Sequence, residues 1–464
     1  MKSESRTPML HCSPARAAAF DILLRVERES SYAAELLHST AYETLSSADH
    51  GLATELVMGV LRWRSSLDEE ISQASSQAVS KLDLEVLTAL RLALYQLRKL
   101  DRIPPHAAIH ESVELVKRAR KRSAAPFVNA VLRKLAAAAP VPPISGSNGE
   151  NFASAESLAH AFAHPAWLVE RWARVYGLAT TRHICEYDQS VPATAMRLRE
   201  PSAENDLRAE GIELAPGALL ATARRVSTAN ISRARALRAG QAVIQDEASQ
   251  LVAALVGRGA RILDCCAAPG GKTLAMADHN PGATITAVEL HPHRARLLQK
   301  LLRAAESPSA ARPHNIQIIT ADVRTAPLHA NFDRVLADVP CSGTGTLARN
   351  PEIKWRLQPK DLEDLRARQF AILRSAMMQV APGGRLIYST CSLEKEENED
   401  VVEKALEENS TFRLRDVRPE LDRLKAEGEL TWPNLASLTR GPFLRTLPGI
   451  HPCDGFFAAI LEKQ

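Results

Sequence analysis

The chain has 464 residues, of which 45% are hydrophobic and 24% are charged, and its formal net charge is +4. This length predicts about three domains, and the composition is that of a soluble globular protein. The sequence contains no apolar run long enough to span a membrane and no signal peptide at Met1, so we expect a cytoplasmic protein without a membrane partner. The weak positive charge permits a nucleic-acid partner without requiring one.

Seven cysteines are spread along the chain, without a C-x-x-C pair and without a Cys/His cluster at zinc spacing. We therefore expect no metal site. A reducing compartment keeps such thiols free, which a cysteine nucleophile requires.

The first 140 residues show apolar side chains at the three- and four-residue spacing of amphipathic helices, as in 17–26 and 84–95. This pattern predicts an all-α domain over residues 1–140. Two basic clusters within it, 62–64 and 117–122, could bind phosphates. A solvated helix face explains either cluster at least as well.

A segment rich in turn-forming residues follows the helices and carries no hydrophobic periodicity, which predicts a linker over residues 141–154. Residues 155–240 then combine a helical pattern at 167–176 with a partly alternating, strand-like pattern at 192–199. We predict a small α+β connecting domain there.

Over residues 241–464, short β-rich runs alternate with helical segments, which is typical of a parallel α/β sheet. The predicted strands are 260–264, 284–289, 316–322, 334–338 and 385–389, with a late strand within 454–461. Helical patterns at 292–304 and 362–380 separate several of them. We predict a Rossmann-like domain, in which ligands collect beyond the carboxyl ends of the strands.

The loop after the first of these strands, residues 267–273, contains two glycines that let the backbone approach a ligand before a helix begins. A phosphate-binding Walker A loop would need glycine at position 266, where this chain has Cys266. Glu289 and Asp322 end the next two strands, and Rossmann-type folds place an acid near such an end to hold ribose hydroxyls. A lone acid at a strand end is more often a helix cap. The glycine loop after the first strand and the acids at the ends of the next two strands together favour a nucleoside cofactor.

Two cysteines follow two further strands, Cys341 in DVPCSG and Cys391 in STCS. Carbon 5 of a pyrimidine is too weak a nucleophile to take a methyl group unless a thiolate first adds to carbon 6. One cysteine could attack and the other could help the product to leave, and the residues alone do not order the two roles. We expect Ser392 to cap a helix whose dipole favours the Cys391 thiolate, although nearby acids oppose this effect.

Such chemistry predicts a nucleic-acid substrate, because a base must be single-stranded or flipped out to reach the pocket. Asp338 could hydrogen-bond the edge of that base. Residues 354–356 and 366–374 offer positive charge, which a helix surface explains almost as well. The remaining cysteines are expected to be inert small hydrophobes, and Cys265 and Cys266 to pack against the end of the first strand.

Three motifs taken together, residues 264–273 (DCCAAPGGKT), 338–345 (DVPCSGTG) and 389–392 (STCS), closely resemble those of the RNA cytosine-5 methyltransferases of the Nop2/Sun type. Residues 245–249 and 451–457 also resemble that family, so the resemblance covers about residues 155–464. The N-terminal helical region resembles the NusB-type RNA-binding domain. The resemblance implies an α/β Rossmann-like methyltransferase domain preceded by a NusB-like domain and the connecting domain.

The cofactor implied by the resemblance is S-adenosyl-L-methionine. Its contacts would come from Cys266, Ala267, Ala268, Pro269, Gly270, Gly271 and Lys272. Glu289 would bind the ribose, Asp322 would lie near the adenine, and Asp338 near the reacting end. In this family Cys391 would be the nucleophile, and Cys341 would assist elimination and release of the methylated RNA.

The pairing with a NusB-like domain implies an enzyme that methylates one cytosine of 16S rRNA. We expect it to be a monomer and its substrate to be naked or early-assembly RNA. Two alternatives stay open. The same chemistry could act on tRNA or on another rRNA site, or the protein could be an RNA-binding assembly factor with a vestigial methyltransferase domain. The intact cysteines and glycine loop count against the second alternative.

Overall fold

The computed structural model describes residues 12–29, 31–138, 152–226, 231, 234–305, 315–328 and 331–464. Most of the predicted linker at 141–154 lies outside these residues. The chain divides into two compact units, one of residues 1–190 and 348–355 and the other of residues 191–347 and 356–464. None of the helices in the described ranges is both long and apolar enough to cross a bilayer.

In the described part of the first unit, the regular structure is helical. The helices are α1 (Pro14–Glu29), α2 (Ala33–Leu37), α3 (Ser47–Arg62), α4 (Arg64–Ser75), α5 (Leu84–Lys99), α6 (Pro105–Arg118), α7 (Ala125–Ala137), α8 (Ala155–Ala161), α9 (Ala166–Tyr176) and α10 (Leu178–Gln189). The predicted all-α region is thus confirmed.

Helix α5 lies at the centre of this bundle, where it packs against α1, α3, α4, α6 and α7. Every residue from Val86 to Gln96 is buried, so the helix has no solvent-exposed face over its central turns. Each fully buried leucine on it contributes about 1.5–3 kcal/mol relative to exposure. The apolar pattern at 84–95 therefore specifies the core of the first unit.

The predicted phosphate-binding cluster at 62–64 is largely engaged within the first unit. Lys354, from the segment 348–355, is 1% exposed and donates to the backbone oxygen of Arg62 at 3.0 Å. Arg62 is itself buried and donates to the backbone oxygen of Ala348 at 2.9 Å, while Arg64 pairs with Glu27. Burial lowers the pKa of Lys354 to about 7. Arg62 and Lys354 therefore join segments in the interior, and expecting exposed positive charge from them was wrong.

The second unit begins with a small antiparallel sheet in the order β2-β3-β1-β4. Its elements are β1 (Thr194–Leu198), α11 (Ser202–Ala209), β2 (Leu214–Pro216), β3 (Ala223–Val226), α12 (Arg235–Arg238) and β4 (Ala242–Ile244). Because α8 to α10 group with the first unit, the division at residue 190 cuts through the predicted connecting domain of residues 155–240.

The larger sheet has the order β11-β12-β13-β9-β8-β5-β6-β7, with β10 paired to β13. Its strands are β5 (Arg261–Asp264), β6 (Thr284–Glu289), β7 (Asn315–Thr320), β8 (Phe332–Asp338), β9 (Val380–Thr390), β10 (Phe412–Arg415), β11 (Thr439–Arg440), β12 (Phe443–Arg445) and β13 (Phe457–Lys463). The helices between residues 247 and 426 are α13 (Glu247–Leu255), α14 (Gly271–His279), α15 (Pro292–Ala305), α16 (Ile353–Arg356), α17 (Asp361–Gln379), α18 (Glu399–Glu408) and α19 (Arg418–Ala426). Of these, α16 belongs to the first unit up to residue 355.

All five predicted strands from 260 to 389 are confirmed, and β5 to β9 are parallel. The late strand is confirmed as β13, but it runs antiparallel to β9, so the sheet is mixed rather than purely parallel. The third strand ends at Thr320, two residues before Asp322.

Strand order reverses at β5, because β6 and β7 extend the sheet on one side and β8 and β9 on the other. In open α/β sheets the crevice beyond such a reversal is the usual ligand site. The carboxyl ends of β5, β6, β8 and β9 therefore bring the loops with the predicted site residues to one edge.

Candidate active site

Cys341 and Cys391 lie just beyond two adjacent parallel strands, β8 and β9, which are in register up to Asp338 opposite Ser389. Their Sγ atoms are 3.3 Å apart, and both cysteines are free and partly exposed. The register places the two cysteine loops side by side, since the carboxyl ends of paired parallel strands meet at the same edge. The structure thus brings together the two thiols that the sequence separates by fifty positions.

The hydrogen bond to Cys391, together with burial, raises the pKa of the Cys341 thiol well above its usual value. The negative charge of Glu397 acts in the same direction. Cys341 therefore keeps its proton at neutral pH and can donate it in a hydrogen bond to the Cys391 sulfur.

A third loop, just before β13, closes over the two cysteine loops through backbone hydrogen bonds. Gly455 N donates to Gly345 O at 2.7 Å, and Gly345 N donates to Cys391 O at 2.9 Å. A Cβ atom at Gly345 would lie 2.1 Å from the Gly455 oxygen, so only glycine permits this approach.

Ser392 does not cap a helix, because α18 begins only at Glu399 and a short 3-10 turn, Lys395–Glu397, comes first. The expectation that a helix dipole acts on Cys391 was wrong. The Ser392 hydroxyl instead donates to the carboxylate of Glu397 and accepts from Glu394 N at 3.0 Å. The acids after Cys391 thus include a specific hydrogen-bond acceptor.

The glycine loop runs from the end of β5 to Gly271, the first residue of α14. Gly270 has φ of 113°, in the region that favours glycine. Glu289, buried at the end of β6, faces this loop and accepts from Ala268 N at 3.3 Å and from His291 N at 3.0 Å.

Two further carboxylates lie near the loop. Asp264 accepts from Thr273 Oγ1 at 2.7 Å through Oδ2, whereas its Oδ1 has no hydrogen-bond partner among the described residues. Burial raises the pKa of Asp264 to about 7. Asp338 accepts from Ser389 Oγ at 2.6 Å and pairs with Lys272 Nζ at 2.9 Å. Burial is the largest single cause and lowers the pKa of Lys272, but the charge of Asp338, its hydrogen bond to Lys272 and other nearby acidic groups together outweigh burial, so the net shift is upward.

These acids decide what kind of ligand the edge can accept. Glu289 and Asp338 would repel a phosphate, and all three acids, with Asp264, can accept hydrogen bonds from hydroxyl or amino groups. Across the described residues, no three His, Cys, Asp or Glu side chains are grouped as a metal site would need.

Asp322, predicted to contact a cofactor, lies just beyond β7 with its side chain 26% exposed. Its carboxylate forms a bidentate pair with Arg324, and these hydrogen bonds lower the pKa of Asp322. The structure thus brings Asp322 to the same sheet edge but gives it a protein partner.

Sequence reasoning missed two buried residues at this edge. Glu397 carries its carboxylate between the cysteine loops, and nothing in the acidic run 394–400 singled it out. Gln245 lies against Gly271, where an added Cβ would be 3.3 Å from its Cδ atom, and its Oε1 has no partner in the described ranges. The motif at 245–249 was the available signal for Gln245.

Comparison with known proteins agrees with this architecture. Residues 255–462 match the family model "16S rRNA methyltransferase RsmB/F", and residues 13–137 match the NusB family. A "Probable ribosomal RNA small subunit methyltransferase B" of Bacillus subtilis is 33% identical over 97% of this chain and 98% of that protein. The "Ribosomal RNA small subunit methyltransferase B" of Vibrio cholerae is 30% identical over 91% and 92%.

Solved structures share the fold. That of PH0851 covers 98% of this chain and 100% of its own, with a TM-score of 0.78 at 23% identity. That of NSun6 from Pyrococcus horikoshii with SFG covers 63% and 97%, with a TM-score of 0.53 at 18% identity. The predicted fold class and family are thereby confirmed: the chain belongs to the RsmB/F family of methyltransferases and carries an N-terminal domain of the NusB family.

Proposed function

We propose that this protein transfers a methyl group from S-adenosyl-L-methionine to carbon 5 of one cytosine in 16S rRNA, through a transient bond between Cys391 and carbon 6. The observation that carries the proposal is the 3.3 Å separation of the Cys391 and Cys341 sulfur atoms beside Asp338. The names of the relatives and the NusB-family domain support an rRNA substrate. We expect a monomer acting on naked or early-assembly RNA.

The residues at the glycine loop fit S-adenosyl-L-methionine. Residues 266–272, Glu289, Asp322 and Asp338 would hold it, and the unpartnered Oδ1 of Asp264 suits its amino group. When bound, this cofactor supplies an electrophilic methyl group. Acids around the loop favour its hydroxyl groups, its ammonium and its sulfonium charge over a phosphate.

Cys391 would start the reaction as a thiolate. A bond forms from its Sγ to carbon 6, and the electron pair of the carbon 5–carbon 6 double bond makes carbon 5 nucleophilic. The Cys341 S–H stabilises the thiolate by donating a hydrogen bond to it, as the separation of the two sulfurs allows. Asp338, held by Lys272 and Ser389, would bind the edge of the base.

Cys341 would then act when the product leaves. After methyl transfer, carbon 5 carries both the methyl group and a proton. Loss of that proton to solvent re-forms the double bond and expels the Cys391 sulfur. A Cys341 thiol that keeps its proton can donate a hydrogen bond to the departing thiolate, which supports the assignment of Cys341 to release.

The test is to incubate the purified protein with unmethylated 16S rRNA and S-adenosyl-L-methionine, and to map 5-methylcytosine. We expect one methylated cytosine with the wild-type protein and none with Cys391→Ala. Full activity of Cys391→Ala would contradict the proposed nucleophile. Methylation of tRNA in a parallel reaction, with 16S rRNA unchanged, would move the same chemistry to another substrate. Absence of both product and cofactor binding would favour a vestigial domain.

A further inference from the structure

Glu397 lies between the two cysteine loops and is fully buried. Its carboxylate reaches the residue directly after each cysteine, Ser342 and Ser392. We propose that Glu397 is a positioning residue that clamps the two loops together and so sets the distance between the Cys341 and Cys391 sulfur atoms. The inference rests on the proposed function and adds a residue to it.

Four donors converge on this one carboxylate. Oε1 accepts from Ser342 N at 2.8 Å and from Gln369 Nε2 of helix α17 at 2.8 Å. Oε2 accepts from the hydroxyls of Ser342 and Ser392, whose oxygens are 3.0 Å apart. The loop after β8, the loop after β9 and helix α17 are therefore joined at a single side chain.

The backbone of Glu397 is fixed as well. The hydroxyl of the buried Tyr388, on β9, donates to Glu397 O at 2.6 Å. The next residue, Asn398, donates from Nδ2 to Ser392 O at 2.9 Å and accepts from the Thr390 hydroxyl. The short turn that carries Glu397 thus folds back onto the strand that leads to Cys391.

Packing alone does not explain why a carboxylate is buried at this position. Burying a carboxylate is unfavourable unless hydrogen bonds or a cation compensate it, and in the described part of the chain no Lys or Arg pairs with Glu397. The four donors provide that compensation. An apolar side chain would fill the same space without needing them, so the carboxylate is best explained by the loops that it joins.

The charge of Glu397 has a second consequence at the same place. The negative charge of Glu397 raises the pKa of Cys341, although less than the hydrogen bond to Cys391 and burial do. The residue that sets the separation of the sulfurs thus also helps to keep the proton on the thiol that assists release.

The separation can be probed without RNA or cofactor. Diamide oxidises two neighbouring thiols to a disulfide and is itself reduced to the hydrazine by their two electrons and two protons. The rate of Cys341–Cys391 disulfide formation, followed by mass spectrometry, therefore reports how often the sulfurs meet. The same samples are assayed for methyl transfer, with kcat and KM for RNA measured separately.

Three variants separate positioning from charge. Glu397→Ala should slow disulfide formation and lower kcat by about tenfold or more, with KM for RNA within about threefold of wild type. Glu397→Gln should recover most of both losses, because its oxygen can accept from Ser342 N and Gln369 while its amide nitrogen donates to the two hydroxyls. Glu403→Ala, an exposed site on α18, is the matched control and should leave both rates unchanged.

A wild-type rate of disulfide formation in Glu397→Ala would overturn the clamp, and so would a Gln variant as slow as the Ala variant. If Glu397→Ala does not fold, the double variant Ser342→Ala, Ser392→Ala removes both hydroxyls and retains Glu397. Slow disulfide formation is expected there too, and a wild-type rate would contradict the proposal equally. Because this readout needs no substrate, its failure is distinct from failure of the proposed function, which Cys391→Ala tests.

Discussion

Two pairs of cysteines lie at the same edge of the large sheet, and their surroundings differ. Cys265, directly after β5, is part of a buried apolar cluster, and the partly buried Cys266 packs against it; burial is the first cause of the raised pKa of each thiol. Cys341 and Cys391 come from loops after two strands, and the partner thiol is the first cause of the raised pKa of Cys341. Burial makes a cysteine inert, whereas a second thiol within hydrogen-bond distance gives it a partner for chemistry.

The largest effect on methyl transfer is expected when the proposed nucleophile, Cys391, is replaced. Cys391→Ala removes the only atom proposed to bond to carbon 6, so methyl transfer should fall on the order of 10⁴-fold or more. The rate of methyl transfer is measured as incorporation of a radiolabelled methyl group into RNA. Binding of S-adenosyl-L-methionine by the variant is the control, and it should persist because Cys391 lies outside the glycine loop.

The other member of the reactive pair should fail at a later step. With Cys341→Ala, one round of methyl transfer should proceed, but turnover should fall by about 100-fold because the departing thiolate loses its hydrogen-bond donor. Protein joined to RNA should then accumulate as a slow band on a denaturing gel. The double variant Cys341→Ala, Cys391→Ala should form no such band; if it does, the bond is not made by Cys391.

The acid at the end of β5 should make stability depend on pH. Because the pKa of Asp264 is raised from 3.8 to about 7, the folded protein holds this proton between pH 4 and 7 while the unfolded chain does not. The contribution of Asp264 to the free energy of unfolding should therefore fall by about 2–3 kcal/mol from pH 5 to pH 8.

Asp264→Asn is the matched variant for that prediction, since its amide oxygen can still accept from Thr273. The free energy of unfolding of wild type minus that of the variant, from urea titrations at each pH, should decrease over this range. Parallel pH curves would show that Asp264 ionises as freely in the folded state as in the unfolded chain.

The smallest effect is expected at Cys265, the fully buried member of the other pair. Cys265→Ala removes one buried sulfur that is 2% exposed, so unfolding should become easier by about 1 kcal/mol while methyl transfer stays within about twofold of wild type. Thermal unfolding and the radiolabel assay measure the two quantities. A loss of activity comparable to that of Cys341→Ala would erase the distinction between the pairs.

Local sequence patterns were sufficient to predict most of the helices and strands. The three- and four-residue periodicity at 84–95 and the β-rich runs at 284–289 and 334–338 specify α5, β6 and β8 within a few residues. Burial explains this success, because a central helix or strand must be apolar wherever it is covered. The antiparallel direction of β13 was not predictable in this way, since a short apolar run has no direction of its own.

The sequence-based predictions that were wrong concern polar and charged side chains. Lys354 and Arg62 were expected to form a basic surface but are buried, and each donates a hydrogen bond to a backbone oxygen from a distant segment. Ser392 was expected to cap a helix, yet its hydroxyl donates a hydrogen bond to the carboxylate of Glu397. In each case the deciding partner is close only after folding.

The sequence by itself determined the family, the glycine loop and the two candidate cysteines, because these depend on residue types at short spacing. Tertiary structure decided which cysteines meet. The register of β8 with β9 brings the Cys341 and Cys391 sulfurs to 3.3 Å, and the carboxylate of Glu397 joins the loops that carry them. Strand pairing and buried hydrogen bonds act between residues far apart in the chain, so no local pattern contains them.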